Sequence, residues 1–171
     1  MLAKSDKLQV PGFTEEAVPE RTLTRAYKRP ESILLVIYTQ AGEVLMLRRT
    51  RPAGFWQSVT GSLKWGERPR QAAERELREE TGLDFSGRLV DYRHTQRFPI
   101  VHPWRPRYAP GTHTNREHWF GLCLPAKRTI RLNPAEHSQL RWLPFYQAAA
   151  LASSWTNRKA ILQIVSGFSP A

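Results

Sequence analysis

Cysteine is almost missing from this chain. Cys123 stands alone among 171 residues, which excludes an internal disulfide framework and leaves that side chain to act as a small buried hydrophobe within the strand-like HWFGLCL. Long apolar runs are missing too: no stretch reaches the roughly 20 residues of a membrane span, and the first residues lack the apolar core of a signal peptide. A cytoplasmic protein with no membrane partner is the expectation. Glycine is too sparse for the G-x4-G-K-[ST] phosphate loop, so ATPase chemistry of that kind is excluded. No two of the five histidines stand at the H-x3-H spacing, and each is expected at the surface or in a cap. There is no internal repeat and no low-complexity tract. Acidic charge is the minority, with 15 Asp and Glu against 26 Lys and Arg and a net charge of +11. In residues 1–26 Lys4, Lys7, Arg21 and Arg25 cancel Asp6, Glu15, Glu16 and Glu20, so the whole excess belongs to residues 27–171. A basic body suits a polyanionic ligand such as a triphosphate. Nucleic acid would favour the same field, and charge alone does not separate the two.

The scarce acids are concentrated in Gly61 to Leu83, GSLKWGERPRQAAERELREETGL. It reads as a loop followed by a helix, with Pro69 suited to the first turn and Gly82 to the residue past the end. At 3.6 residues per turn Glu76, Glu79 and Glu80 fall on one face. Glu74 with Arg78 forms a favourable i,i+4 pair, but Glu76 with Glu80 is a like-charged pair that costs roughly 0.2 to 0.5 kcal/mol. Two readings are open from geometry alone: a solvated charged face, or carboxylates gathered around a hard divalent cation such as Mg²⁺ or Mn²⁺.

The spacing decides between them. Gly61, five residues, Glu67, seven residues, then Arg75-Glu76-Leu77-Arg78-Glu79-Glu80-Thr81-Gly82-Leu83 matches the Nudix box at every fixed position. With each of the seven identities at a background near 6 to 7%, the coincidence is on the order of 10⁻⁸ per starting point. The chain resembles a Nudix hydrolase. The resemblance implies cleavage of a phosphoanhydride by metal-activated water, with Mg²⁺ as cofactor and Mn²⁺ as a substitute. It implies Glu76 and Glu80 as metal ligands, Glu79 as a further ligand or the base, the Gly61 carbonyl as a backbone ligand, and Glu67 with Arg75 as an orienting pair behind them. Which Glu removes the proton stays open.

The rest of the chain reads in order as an arm over residues 1–26, with Pro11, Gly12 and Pro19 and no sustained period, and then one domain over 27–171. Ser32–Thr39 is a buried strand joined through Gln40-Ala41-Gly42 to a second at Glu43–Arg49. A short strand is expected at Trp56–Thr60, a helix at Pro69–Thr81 and a strand near Leu89–Gln96. Arg97–Glu117, rich in Pro and Arg, reads as a long loop of the kind that serves as a lid or binding segment. Further strands are expected at Trp119–Leu124 and Gln139–Leu143. A short helix follows at Pro144–Leu151, and a last helix at Trp155–Phe168 carries Ile161, Val165 and Phe168 on one stripe, with Ser154 as its N-cap. This order predicts an α/β (α+β) fold, a mixed sheet sandwiched between helices, which agrees with the Nudix fold.

Outside the box, Tyr27-Lys28-Arg29-Pro30, Phe55-Trp56-Gln57-Ser58-Val59-Thr60-Gly61-Ser62, Arg107-Tyr108-Ala109-Pro110-Gly111 and Ser154-Trp155-Thr156-Asn157-Arg158 resemble the bacterial Nudix subfamily that cleaves dihydroneopterin triphosphate in folate biosynthesis. That likeness implies a small-molecule triphosphate partner. It makes Lys28, Arg49, Thr60 and Ser154 substrate contacts, and Glu136 a further metal ligand reaching in from a loop. The alternatives are another Nudix substrate, such as dATP, a dinucleoside polyphosphate or a capped RNA end, and more remotely a non-catalytic RNA-binding module. Lys64 and Trp65 depart from the acidic residues usual there. Phe98–Trp104 does not line up, so no ring contacts are assigned from it. Trp56, Trp104, Tyr108 and Trp119 are candidates to stack on a flat ring, and each competes with a place in the core.

Overall fold

The structure is a computed structural model and describes residues 27–166; the arm over 1–26 and Phe168 lie outside the described residues. Seven strands form the sheet: β1 (Glu31–Thr39), β2 (Glu43–Arg49), β3 (Trp56–Gln57), β4 (Val59–Ser62), β5 (Val90–Pro99), β6 (Thr114–Leu124) and β7 (His137–Pro144). The helices are α1 (Pro69–Thr81), α2 (Phe145–Leu151) and α3 (Trp155–Ser166). β1 is the spine. It runs parallel to β6 along its whole length, antiparallel to β4 through its first half and to β2 near its end. β5 pairs antiparallel with β6, and β7 with β2.

Strand β1 is apolar without a break from Ile33 to Tyr38 because both of its faces are covered there. Ile33, Leu35 and Ile37 pack with Ala72, Ala73 and Leu77 of α1. Leu34, Val36 and Tyr38 pack with Ala148, Ala149, Ala160, Ile161, Ile164 and Val165 of α2 and α3. The expected sandwich therefore forms, and Ile161 and Val165 hold its second face. Cys123 is half-buried against that face. α1 begins at Pro69 and ends at Gly82, whose φ of 70° is the left-handed value a helix stop needs and whose N–H donates to the Arg78 carbonyl at 3.0 Å. Ser154 Oγ accepts the Asn157 N–H at 3.2 Å, which is the N-cap bond expected of it.

Three local expectations are corrected. The loop expected over 97–117 is shorter at both ends: β5 runs on to Pro99 and β6 begins at Thr114, leaving residues 100–113 as the connection, with one 3-10 turn at Arg105–Arg107. The Gln96–Glu117, Arg97–Arg116 and Phe98–Asn115 pairs close this hairpin. Glu74 pairs with Arg70 at 3.2 Å rather than with Arg78, whose guanidinium lies 3.9 Å from Asp84. The short strand at 56–60 is two strands, separated at Ser58, whose N–H donates to Asn157 Oδ1 at 2.8 Å.

Candidate active site

The first turn of the box lays its loop over the helix it precedes. Arg75 is the fastener: Nε and Nη2 reach the two Glu67 oxygens at 2.8 and 2.9 Å, Nη1 reaches Glu76 Oε1 at 2.6 Å and Glu79 Oε2 at 3.0 Å, and Nη2 also donates to the Ser62 carbonyl at 3.1 Å. Glu67 Oε2 accepts the Lys64 N–H at 2.8 Å as well. The Arg75 fork holds the Glu67 carboxyl below the ordinary glutamate range. Loop and helix are thereby tied at one point.

The three helix acids share a face but not an environment. Glu79 is exposed, on the rim. Glu76 is buried, and burial pushes its carboxyl up to about 7, against the pull of Arg75 and with Glu80 and Glu79 adding to the rise. Glu80 is 1% exposed. Burial first, then the charge of Glu136, raise its carboxyl well above the usual range, while Arg49 and the Thr60 amide oppose. Neither Glu80 oxygen has a hydrogen bond of normal geometry. Opposite it stands His137, fully buried, with Nε2 3.1 Å from Glu80 Oε2 and both ring nitrogens without a hydrogen bond. Burial and Arg49 lower the His137 pKa. Glu80, Glu136 and His137 each offer a ligand atom within 4.8 Å of the others.

Buried carboxylate oxygens without donors are costly, and this donor set of oxygens with one imidazole suits a divalent cation. The residues therefore fit a metal. Sequence reading missed His137, whose expected place was the surface. It shows no ligand spacing along the chain; it comes to the site through the sheet, because β7 pairs Arg49 with His137.

Glu136 of this cluster also borders a cleft of about 1060 Å³. All four sequence-predicted substrate contacts, Lys28, Arg49, Thr60 and Ser154, line it, as do Glu76, Glu79, Glu136 and Gly61. Lys28 Nζ lies 3.4 Å from Ser62 Oγ, and burial with the nearby Arg107 lowers its pKa. Arg49 Nε donates to the Arg51 carbonyl at 2.8 Å, and Thr60 Oγ1 accepts from Gln57 Nε2 at 2.9 Å. Among the ring-stacking candidates, Trp104 and Tyr108 line the cleft, whereas Trp56 and Trp119 belong to the core facing α3. Phe55, Phe98 and Trp155 also line the cleft and were not singled out from sequence. Lys64 and Trp65 are exposed at its edge.

The acid-bearing helix, its fastening loop and the αβα sandwich that carries them define one class of protein, and the profile of the NUDIX domain matches residues 28–164: the chain belongs to the Nudix hydrolase family. Within it, the chain is similar to the dihydroneopterin triphosphate diphosphatase of Escherichia coli strain K12, with 48% identity over 145 residues that cover 82% of this chain and 95% of that one. It is also 39% identical to the Haemophilus influenzae enzyme of the same name, over 81% of this chain and 89% of that one. The solved structure of the E. coli dihydroneopterin triphosphate pyrophosphohydrolase superposes with a TM-score of 0.77, covering 83% of this chain and 99% of that chain. No helix among the described residues is long and apolar enough to cross a membrane.

Proposed function

We propose that this protein is a Mg²⁺-dependent hydrolase that cleaves dihydroneopterin triphosphate to the monophosphate and pyrophosphate, a step of folate biosynthesis in the cytoplasm. The observation that carries the reading is the meeting of acids and cations: Glu76 and Glu136 line one cleft with Lys28 and Arg49, and Glu80, buried with neither oxygen hydrogen-bonded, offers a ligand atom within 4.8 Å of one on Glu136. The 48% identity to the E. coli diphosphatase supports the choice of substrate.

In this reading Glu76, Glu80 and Glu136 hold the divalent ions, with the Gly61 carbonyl beside them and His137 packed against Glu80. Bound there, a divalent cation neutralises phosphate oxygens and lowers the pKa of a coordinated water. Lys28 and Arg49 bind the non-reacting phosphate oxygens through charge-assisted hydrogen bonds. Thr60 and Ser154 offer hydroxyls to the substrate. Arg75, held by Glu67, keeps Glu76 and Glu79 in place, the role of a residue behind the ligands. The proton of the attacking water passes to one of the box glutamates.

Glu80→Gln tests the chemistry, and its kcat is expected to fall at least 10³-fold with folding retained. Intact turnover would favour a non-catalytic RNA-binding role instead. A substrate panel in Mg²⁺ tests the substrate. Preference for dATP, a dinucleoside polyphosphate or a capped RNA end over dihydroneopterin triphosphate would replace the proposed substrate and leave the Nudix chemistry standing.

A further inference from the structure

On the far side of β1 from the box, β6 carries two polar groups that the chemistry above does not use. Asn115 and Glu117 alternate with exposed Thr114 and Arg116, so both face inward with Trp119, and both line the cleft. Asn115 is 2% exposed. Its Nδ2 donates to Ser32 Oγ at 2.7 Å, which leaves Oδ1 a buried acceptor with no partner. Glu117 is 5% exposed; Oε1 accepts the Trp119 Nε1–H at 3.1 Å and the carboxyl is also bonded by Thr156, with no cation beside it. Folding gains nothing from a carboxyl and an orphaned carbonyl set side by side here, since buried polar groups destabilise unless they are matched. Their common feature is surplus acceptor capacity at a cleft wall.

A ligand that matches it presents neighbouring N–H donors on a flat, neutral edge. A 2-amino-4-oxopyrimidine does so: the ring N3–H and one amino proton form a parallel pair for a carboxylate, and the second amino proton is directed to a flanking acceptor. Residues two apart on a strand, roughly 6.6 to 6.8 Å, supply a carboxylate and a flanking carbonyl at the right separation. Adenine offers an acceptor where this edge has its ring N–H, and would set a lone pair against the carboxylate. Sites built to bond a substrate N–H reject analogues that lack it.

We infer that Asn115 and Glu117 are specificity-determining residues that read the 2-amino-4-oxopyrimidine edge of the substrate's ring. The inference rests on the reading of this cleft as a triphosphate site and deepens it. Pterin and guanine share this edge, so the test carries both. For the native protein, Glu117→Gln and Asn115→Ala, kcat/KM in Mg²⁺ is measured for dihydroneopterin triphosphate, GTP and dATP. Binding of phosphate-free neopterin is measured by fluorescence without metal, and Tm reports folding. Glu117→Gln is expected to lower kcat/KM at least 100-fold for the pterin substrate and for whatever GTP turnover exists, mainly through KM. It leaves dATP within about threefold and weakens neopterin at least tenfold. Asn115→Ala is expected to do the same about tenfold, and it carries the test if Glu117→Gln does not fold. GTP matching the pterin, with both lost together in Glu117→Gln, supports the inference and moves the proposed substrate to a guanine nucleotide. A native enzyme that favours the pterin, with variants of native Tm that keep that preference and their neopterin affinity, overturns the inference and leaves the proposed function intact. A native enzyme that prefers dATP overturns both.

Discussion

The Glu76 carboxyl lies directly against the α-carbon of Gly61: a β-carbon built at Gly61 would sit 1.8 Å from Glu76 Oε1 and 1.9 Å from its Cδ. The glycine of the box is therefore set by contact, since the helix acid occupies the space where any other side chain would begin. β4 brings Gly61 there by pairing it with Ile33.

Gly61→Ala must displace Glu76, Gly61 or both. Misplacement of a reacting group by about 1 Å costs on the order of 10²-fold in rate. Turnover is expected to fall at least that far, with a Tm loss of a few degrees at most. Steady-state kinetics beside a melting curve check it, and native turnover in the alanine variant would show that the contact is slack.

Arg75→Lys keeps the charge and loses the fork. A lysine cannot bond both Glu67 oxygens while reaching Glu76 and Glu79. Loss of such supporting groups costs roughly 10- to 100-fold in activity or metal affinity, and the expected signature is a higher Mg²⁺ concentration for half-maximal rate. A Mg²⁺ titration of the variant measures this directly.

The buried acids give the metal-free protein an inverted pH response. Burial raises Glu76, and on the other wall Glu117, to about 7 in the folded state, above the usual glutamate value. Between about 4.5 and 7 these carboxyls, with Glu80 raised as well, hold more protons in the folded protein than in the unfolded chain, which outweighs the opposite effect of the single lowered His137, and stability falls as pH rises through that window. Glu67 and Glu31 are shifted down, the former by Arg75 and the latter by His118 and Arg29 against the effect of burial, so their contribution is lost only below that window. The Tm of protein in chelator is expected to drop on the order of 5 °C from pH 5 to pH 7.5. Added Mg²⁺ is expected to restore more at pH 7.5 than at pH 5, because ligands bind metal deprotonated. Thermal shift at both values, with and without Mg²⁺, checks the sign.

The basic excess of residues 27–171 and the placement of Lys28, Arg49 and Arg107 on the cleft predict attraction of a triphosphate over distance. Screening grows as the Debye length shrinks from about 30 Å at 0.01 M to 8 Å at 0.15 M salt. KM for the substrate is expected to rise several-fold over that range with kcat nearly unchanged. A flat KM would place binding in close contacts alone.

What was legible in the sequence was local. β1, β2 and α1 announce themselves through apolar runs, a turn and a Pro-to-Gly frame, and the box acids through strict spacing. Both strands of the β5–β6 hairpin were legible in part, but their facing ends, 97–99 and 114–118, were hidden because half of these residues face solvent and the arginines and prolines around them resemble a loop; the pairing that makes them sheet comes from up to about twenty residues away. His137 was hidden for the same reason, since its neighbour Glu80 is met only through the register of β7 on β2. Asn115 and Glu117 fell within the misread segment. Pattern along the chain identifies acids that share a helix, and misses neighbours delivered by sheet pairing.

One strand sets the scale of the cleft. Ile33 of β1 is paired to Gly61 on one side, and Ser32 to Glu117 on the other, so the acid cradle and the ring-reading wall are separated by two interstrand spacings, roughly 10 Å. That interval is written in backbone hydrogen bonds and does not stretch. If Asn115 and Glu117 read the ring as inferred, the cleft would work as a calliper: the bond presented to the acids would be set by its distance from the ring, and a substrate with a shortened or lengthened tether would offer them the wrong phosphate.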